Sequence, residues 1–184
     1  MKNSKQFLFL IIGGLVLVAA STRLLPHPPN FTPIIAIALF AGAYFRFTKW
    51  AWILPLAVMI VSDIGLWFMH GYELFTLMRL VIYLTLIAIV AIGIPVGKKI
   101  SAGRVLGGTL AGAVCFFIVT NFAVWLMGTL YPMSWEGLIA CYTAAIPFFR
   151  NTLTSTLIYS AAMFGAVEWA KSYWSLPARP VTTS

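Results

Sequence analysis

The chain has 184 residues, 61% of them hydrophobic and 15% aromatic, and only 9% are charged. Its mean hydropathy is +0.96. Soluble domains run at about 45–50% apolar, so this composition argues against a soluble globular fold. The net charge of +8 is accounted for by membrane topology and calls for no nucleic-acid partner.

Six apolar runs are visible, at 7–21, 31–45, 50–69, 80–97, 105–127 and 153–169. A spanning helix needs about 20 apolar residues, and several runs approach that length while the first two are shorter. They are continuously apolar rather than alternating, which favours helices over a barrel. The expected fold is therefore an all-α membrane protein, a bundle of six transmembrane helices. It forms one domain over 1–175, followed by a disordered cytoplasmic tail at 176–184.

With the N-terminus inside, the inner segments carry Lys2, Lys5, Arg46, Lys49, Lys98, Lys99, Arg104, Lys171 and Arg179. The outer segments carry only Arg23, Arg79 and Arg150. That asymmetry follows the positive-inside rule. It predicts a multi-pass protein of the bacterial cytoplasmic (inner) membrane with both termini cytoplasmic. A competing reading takes Lys2, Lys5, the first run and Val18-Ala19-Ala20 as a signal peptide cleaved after Ala20, leaving five spans.

On this topology Arg23, His27, Asn30, Asp63, Glu73, Arg79 and Arg150 gather on the outer side. Ionisable groups at membrane depth are costly and default to functional candidates. The first outer segment, 23–33, holds four prolines within eight residues. Proline restrains itself and its predecessor, so this is a rigid extended strap presenting His27 and Asn30. A plainer role for Asn30 or Thr32 is to cap the second helix.

In the second run, Ala38 and Gly42 stand four apart, a small-xxx-small surface for close approach. It suits packing inside the bundle or docking of a partner such as an energising membrane module. Asp63, in the third run, has no cation at helical spacing and needs a partner among Arg23, Arg79 and Arg150. The segment 70–79 reads as a pocket lid, and Tyr83 shares a helix face with Arg79. In the fifth run Asn121 is the costly polar residue, with Trp125 one turn on. Residues 138–149 are too short to span and contain Pro147, so they read as a short outer re-entrant or interfacial helix delivering Arg150.

Cys115 and Cys141 form no metal-binding spacing, and no nucleotide loop, GxSxG or HExxH motif is present. No enzymatic activity and no resident cofactor are expected.

The strings PHPPNFTP (26–33), SD (62–63), FFIVTNFAVW (116–125) and CYTAAIPFFRNTL (141–153) together resemble a family of small bacterial membrane proteins. That family is related to S-components of energy-coupling-factor vitamin transporters. Within it the chain is similar to the solitary vitamin B12 transporters of the BtuM type. The resemblance covers about 20–165 and implies a six-helix bundle that binds a vitamin, cobalamin or another corrinoid, at the outer face for uptake. It implies site residues at His27, Asp63, Tyr83 and Arg150, to which the residue reading adds Asn30, Asn121 and Trp125. The cobalt-ligating cysteine of the B12 group falls on Leu77-Met78-Arg79 here, where Met78 offers a thioether instead. A different class of function is a structural or accessory subunit of a larger membrane complex.

The charge asymmetry yields a direct test. Single-cysteine labelling from outside the cell is expected to reach position 135 and not position 98; the reverse pattern overturns the orientation.

Overall fold

The computed structural model describes residues 13–14, 16–18, 21–128 and 130–175. The expectations for Lys2, Lys5, Arg179, most of the run 7–21, the cleavage after Ala20 and the tail 176–184 lie outside the described residues. A short 3-10 turn at Thr22–Leu24 leads into the strap. Five α-helices follow: α1 (Ile34–Tyr44), α2 (Trp50–His70), α3 (Leu77–Val96), α4 (Ala102–Leu126) and α5 (Trp135–Ser175). Among the described residues there is no strand.

Three helices, α2, α3 and α4, are long and apolar enough to cross a membrane. Most of their apolar surface points away from the bundle. Val61, Phe68, Leu84, Ile118 and Phe122 are all exposed, as a hydrocarbon solvent requires. Exposed tryptophans stand near both ends: Trp50 and Trp169 at the end that carries Lys98, Trp135 at the end that carries Arg23. That is the placement of interfacial aromatic belts. The molecule is an all-helical membrane protein.

The shortest helix is its centre. Ten of the eleven residues of α1 are buried, and it touches each of the other four helices. At about 1.5 Å per residue α1 extends only ~16 Å, about half a bilayer's hydrocarbon thickness. It is apolar on every side because it is enclosed on every side. Phe40 packs edge-on against Phe164 of α5, with centroids 5.2 Å apart.

The seam between α1 and α3 is backbone against backbone. A Cβ at Gly42 would strike the Val90 carbonyl, one at Gly93 the Leu39 carbonyl, and one at Gly97 the Ala43 carbonyl. Ala38 is fully buried. The Ala38/Gly42 surface is thus an interior seam, the first of the two roles its spacing allows, and the alternative of a docking face for a partner module falls away. Close approach of this kind is what small residues four apart permit.

A correction concerns 138–149, where a short re-entrant helix is expected. α5 instead runs unbroken for 41 residues with Pro147 inside it. Proline costs one backbone hydrogen bond, to the carbonyl four residues back, but does not have to end a helix. At its start the Ser134 hydroxyl accepts the Gly137 amide at 3.2 Å. Hydrogen bonds from its own amide and from Ser134 hold the Glu136 carboxyl below its usual range. A second correction is at α1: its N-cap is Pro33, with no side-chain cap, so neither Asn30 nor Thr32 has that role.

The seam makes a paired prediction. Gly93→Ala is expected to destabilise the detergent-solubilised protein by about 3 kcal/mol, the upper end of overpacking costs, because a carbonyl cannot move aside as a side chain would. Gly107→Ala, where an added Cβ meets nothing within 4 Å, is expected to be neutral or stabilising. Thermal unfolding of both variants checks the pair.

Candidate functional site

Asp63 lies on α2 one turn beyond Met59 and is 1% exposed. Such a carboxylate needs a cation and a full set of hydrogen bonds. Two other segments supply two cations and, at Oδ2, a hydroxyl hydrogen bond, while Oδ1 has a cation beside it and no hydrogen bond among the described residues. Arg23, from the 3-10 turn, brings Nη2 to 2.7 Å from Oδ1. Arg79, in the first turn of α3, pairs with Oδ2, and the Tyr83 hydroxyl donates to the same oxygen at 2.9 Å. Arg23 also donates to the Ser62 hydroxyl and, at 3.3 Å, to the Met59 carbonyl.

Each partner is placed by local structure. Gly65 leaves room for Leu24, whose Cδ2 would lie 3.1 Å from a Cβ there, so the turn seats against α2. Thr76 caps α3 by accepting the Arg79 amide at 3.1 Å. Arg79 and Tyr83, four apart, then point the same way. The cluster holds two guanidiniums and one carboxylate, a surplus of one positive charge. Arg150 is exposed and takes no part in it.

Arg23 has a second role, because it also lines a chamber of about 460 Å³ at its end of the bundle. The strap supplies Leu25, Pro26, His27 and Asn30; α1 supplies Ile34 and Ile35; α2 gives Met59, Leu66, Met69 and His70; Ile82, Phe116 and Thr152 complete the wall. Tyr72, stacked on His70 with centroids 5.5 Å apart, closes it from the loop after α2. The lid expected at 70–79 is met in part: His70 and Tyr72 face the chamber. Leu74, Phe75 and Thr76 instead line an outward-facing hollow of about 610 Å³ together with Asp63, Arg79 and Tyr83.

The strap is pinned as well as stiff. Asn151 on α5 donates to the Pro29 carbonyl at 3.0 Å, and the Tyr159 hydroxyl donates to the Thr22 hydroxyl at 2.9 Å. The Phe31 amide bonds the Pro28 carbonyl at 3.0 Å, and between them Asn30 has φ 61°. This is a tight turn with proline at its second position and, at the third, a left-handed residue, a conformation that asparagine tolerates better than most.

A smaller chamber of about 180 Å³ adjoins the first. The two share Asn30, Ile82, Phe116 and Thr152. Met78, Asn121 and Thr120 line the smaller one. Asn121 donates to the Phe117 carbonyl of its own helix at 2.7 Å.

The expected site residues thus divide. His27 and Asn30 line the larger chamber, and Met78, Asn121 and Asn30 the smaller. Asp63 and Tyr83 stand behind the wall and hold Arg23 in it. Trp125 is turned to the α4–α5 connection, its indole N–H on the Pro132 carbonyl at 3.0 Å. Arg150 and Trp125, and Trp67 beside Phe68 on α2, line none of these chambers. The sequence reading did not include Met59, Leu66, Met69, Phe116 and Thr152 in the site. Four of them are apolar residues with the same pattern as lipid-facing or core positions; only Thr152, polar within an apolar run, carried a signal. Among the described residues no cluster of three or more His, Cys, Asp or Glu is placed to hold a metal ion.

Residues 3–179 match a family model described as "Family of unknown function (DUF6580)". The chain belongs to that family. No curated protein matches it, and no solved structure does. In this member of DUF6580, then, the chamber and its ion cluster are the guide to function.

Removing Asp63 leaves two part-buried guanidiniums without a counter-charge. Breaking a buried pair from one side costs roughly 3–5 kcal/mol, so Asp63→Ala is expected to lower the unfolding temperature sharply. Asp63→Ala combined with Arg79→Ala is expected to recover part of the loss, because the remaining charge count is lower. Glu73→Ala, at an exposed position, is expected to change little. Thermal unfolding in detergent compares the three.

Proposed function

We propose that this protein is a substrate-binding membrane protein for uptake of a vitamin-sized solute, with its site at the extracytoplasmic face. The reading rests on the strap-roofed chamber at the Arg23 end. Its volume lies within the roughly 300–1,000 Å³ usual for small-molecule sites, and it joins an apolar lining to a few placed polar groups. Arg23, His27, His70, Asn30 and Thr32 all line it, and among the described residues no carboxylate does. A solute rich in acceptor oxygens or carrying a negative charge suits that lining. The surplus positive charge of the Arg23–Asp63–Arg79 cluster favours the same partner.

Cobalamin or another corrinoid is the candidate that the sequence resemblance brings. A corrinoid is larger than the chamber, so its entry requires the strap or the 71–76 loop to swing away. Met78 would offer it a thioether from the smaller chamber, and His27 an imidazole from the larger. The sequence carries no ATPase motif, so uptake is either energised by a separate module or a facilitated passage. The orientation follows the charge asymmetry: Arg46, Lys49, Lys98, Lys99, Arg104 and Lys171 face the cytoplasm.

Two measurements test the reading. Mass spectrometry of protein purified from its native membrane is expected to find a co-purifying small molecule, absent from Leu66→Trp, which fills the chamber wall. Failure to find one in the wild type, with folding intact, overturns the binding role. Cobalamin titrated into the wild type and Met78→Cys is expected to bind both, more tightly to the thiol variant and with a shifted visible spectrum. No binding to either removes the corrinoid and leaves the chamber open to another solute.

A further inference from the structure

The two guanidiniums on Asp63 face different spaces. Arg23 lines the chamber under the strap, and Arg79 lines the outward-facing hollow of about 610 Å³ between α2 and α3. The two spaces share no lining residue. A guanidinium carries five N–H donors in a fixed fork. Among the described residues the Arg79 side chain has one partner, Asp63 Oδ2, reached through Nη1. Its Nε and Nη2 therefore have no protein acceptor, on a side chain that is 16% exposed. The amides of Leu77 and Met78, in the first turn of α3, have no acceptor among the described residues either. That turn is also the positive end of the helix.

Depth in the membrane decides what meets these donors. α3 is 20 residues long, about 30 Å, the thickness of a bilayer's hydrocarbon core. Lys98 and Lys99 follow its far end directly and hold that end at one interface. Its first turn, with Arg79, then lies at the opposite interface, where hydrocarbon gives way to lipid headgroups. The surroundings there are made for lipid rather than water. Phe75 is 96% exposed, and Ile60, Ile64, Leu77 and Leu80, all exposed, line the same hollow.

We propose that the hollow between α2 and α3 is a binding site for an anionic phospholipid, its phosphate on Arg79 and the first turn of α3. One acyl chain lies over Leu80 and Ile60, toward the middle of the membrane. Arginine matches phosphate in geometry as well as charge, and basic recesses between membrane helices hold anionic headgroups. Charge selects the headgroup. The only carboxylate among the described lining residues is Asp63, which two guanidiniums already share. Nothing there is left to match the ammonium of a zwitterionic lipid. The lipid braces Arg79 from outside as Asp63 does from within, whatever the chamber under the strap binds.

Native mass spectrometry of the full-length protein tests the site. The protein is delipidated in detergent and offered phosphatidylglycerol and phosphatidylethanolamine, with the same acyl chains and at equal concentration. The wild type is expected to retain phosphatidylglycerol at least fivefold more often than phosphatidylethanolamine. Leu80→Trp fills the hollow without touching the ion cluster and is expected to lower that retention at least fivefold. Ile118→Trp, at an exposed position of α4 outside the hollow, is expected to keep it. Arg79→Gln is expected to abolish the preference between the two headgroups; if it fails to fold, the tryptophan pair carries the test. Equal retention of the two lipids by the wild type overturns the proposal, as does a Leu80→Trp variant indistinguishable from Ile118→Trp. Excess inorganic phosphate is expected to leave the lipid bound; its displacement would mean a site for a free anion and sink the lipid assignment. Disulfide cross-linking of Leu80→Cys between copies, with no lipid retained, would overturn it in favour of a second copy.

Discussion

One carboxylate ties three segments of this protein together. Asp63 sits on α2, but its partners come from the turn before the strap and from the start of α3. In water such pairs contribute little, whereas at membrane depth an unpaired guanidinium is expensive wherever it goes. The pairing therefore determines where Arg23 and Arg79 can be. Because Arg23 is also part of the chamber wall, the shape of that chamber depends on a residue that does not line it. The strap hangs from the same arginine at one end and from α1 at the other.

The second constraint is steric. α1 is too short to cross a bilayer and too apolar to meet water, so it survives only if enclosed. Gly93 of α3 and Gly97 at its C-cap bring that helix close enough to enclose it, and Gly42 reciprocates from α1. Burying α1 leaves α2, α3 and α4 with outward faces that must be apolar themselves, which is why their sequences show so little periodicity.

That lack of periodicity sets what could be read without coordinates. α2, α3 and α4 were legible to within a few residues, since a run such as 50–69 has no other way to satisfy its backbone in lipid. The need of Asp63 for a distant cation was legible too, as was the alignment of Tyr83 with Arg79. The role of Ala38 and Gly42 was not, because small residues four apart serve an interior seam and an exterior one equally well. Pro147 misled for a local reason. A proline signals a missing hydrogen bond, and whether the helix continues past it is decided by the surroundings. Arg150 follows from the same point: an unbroken α5 fixes its angular position, and that position is outside the chamber. The apolar chamber walls carry no signature at all, since Met59 or Phe116 beside a cavity is chemically the same as Met59 or Phe116 beside a neighbour.

The continuity of α5 has a mechanical side. Forty-one helical residues make a rod of roughly 60 Å, about twice the thickness of a bilayer's hydrocarbon core. The rod is attached at Asn151 to the strap and at Glu168 to the end of α1, two fixings about 25 Å apart along its axis. It is a lever. A tilt of about 5° displaces one end of the rod relative to the other by roughly 5 Å, and one fixing relative to the other by roughly 2 Å. Lifting the roof of the chamber by moving α5 would thus shift its footing beside Tyr44 in the same motion, and Pro147, where a backbone bond is missing, marks the point at which the part beyond the strap can flex without disturbing either fixing.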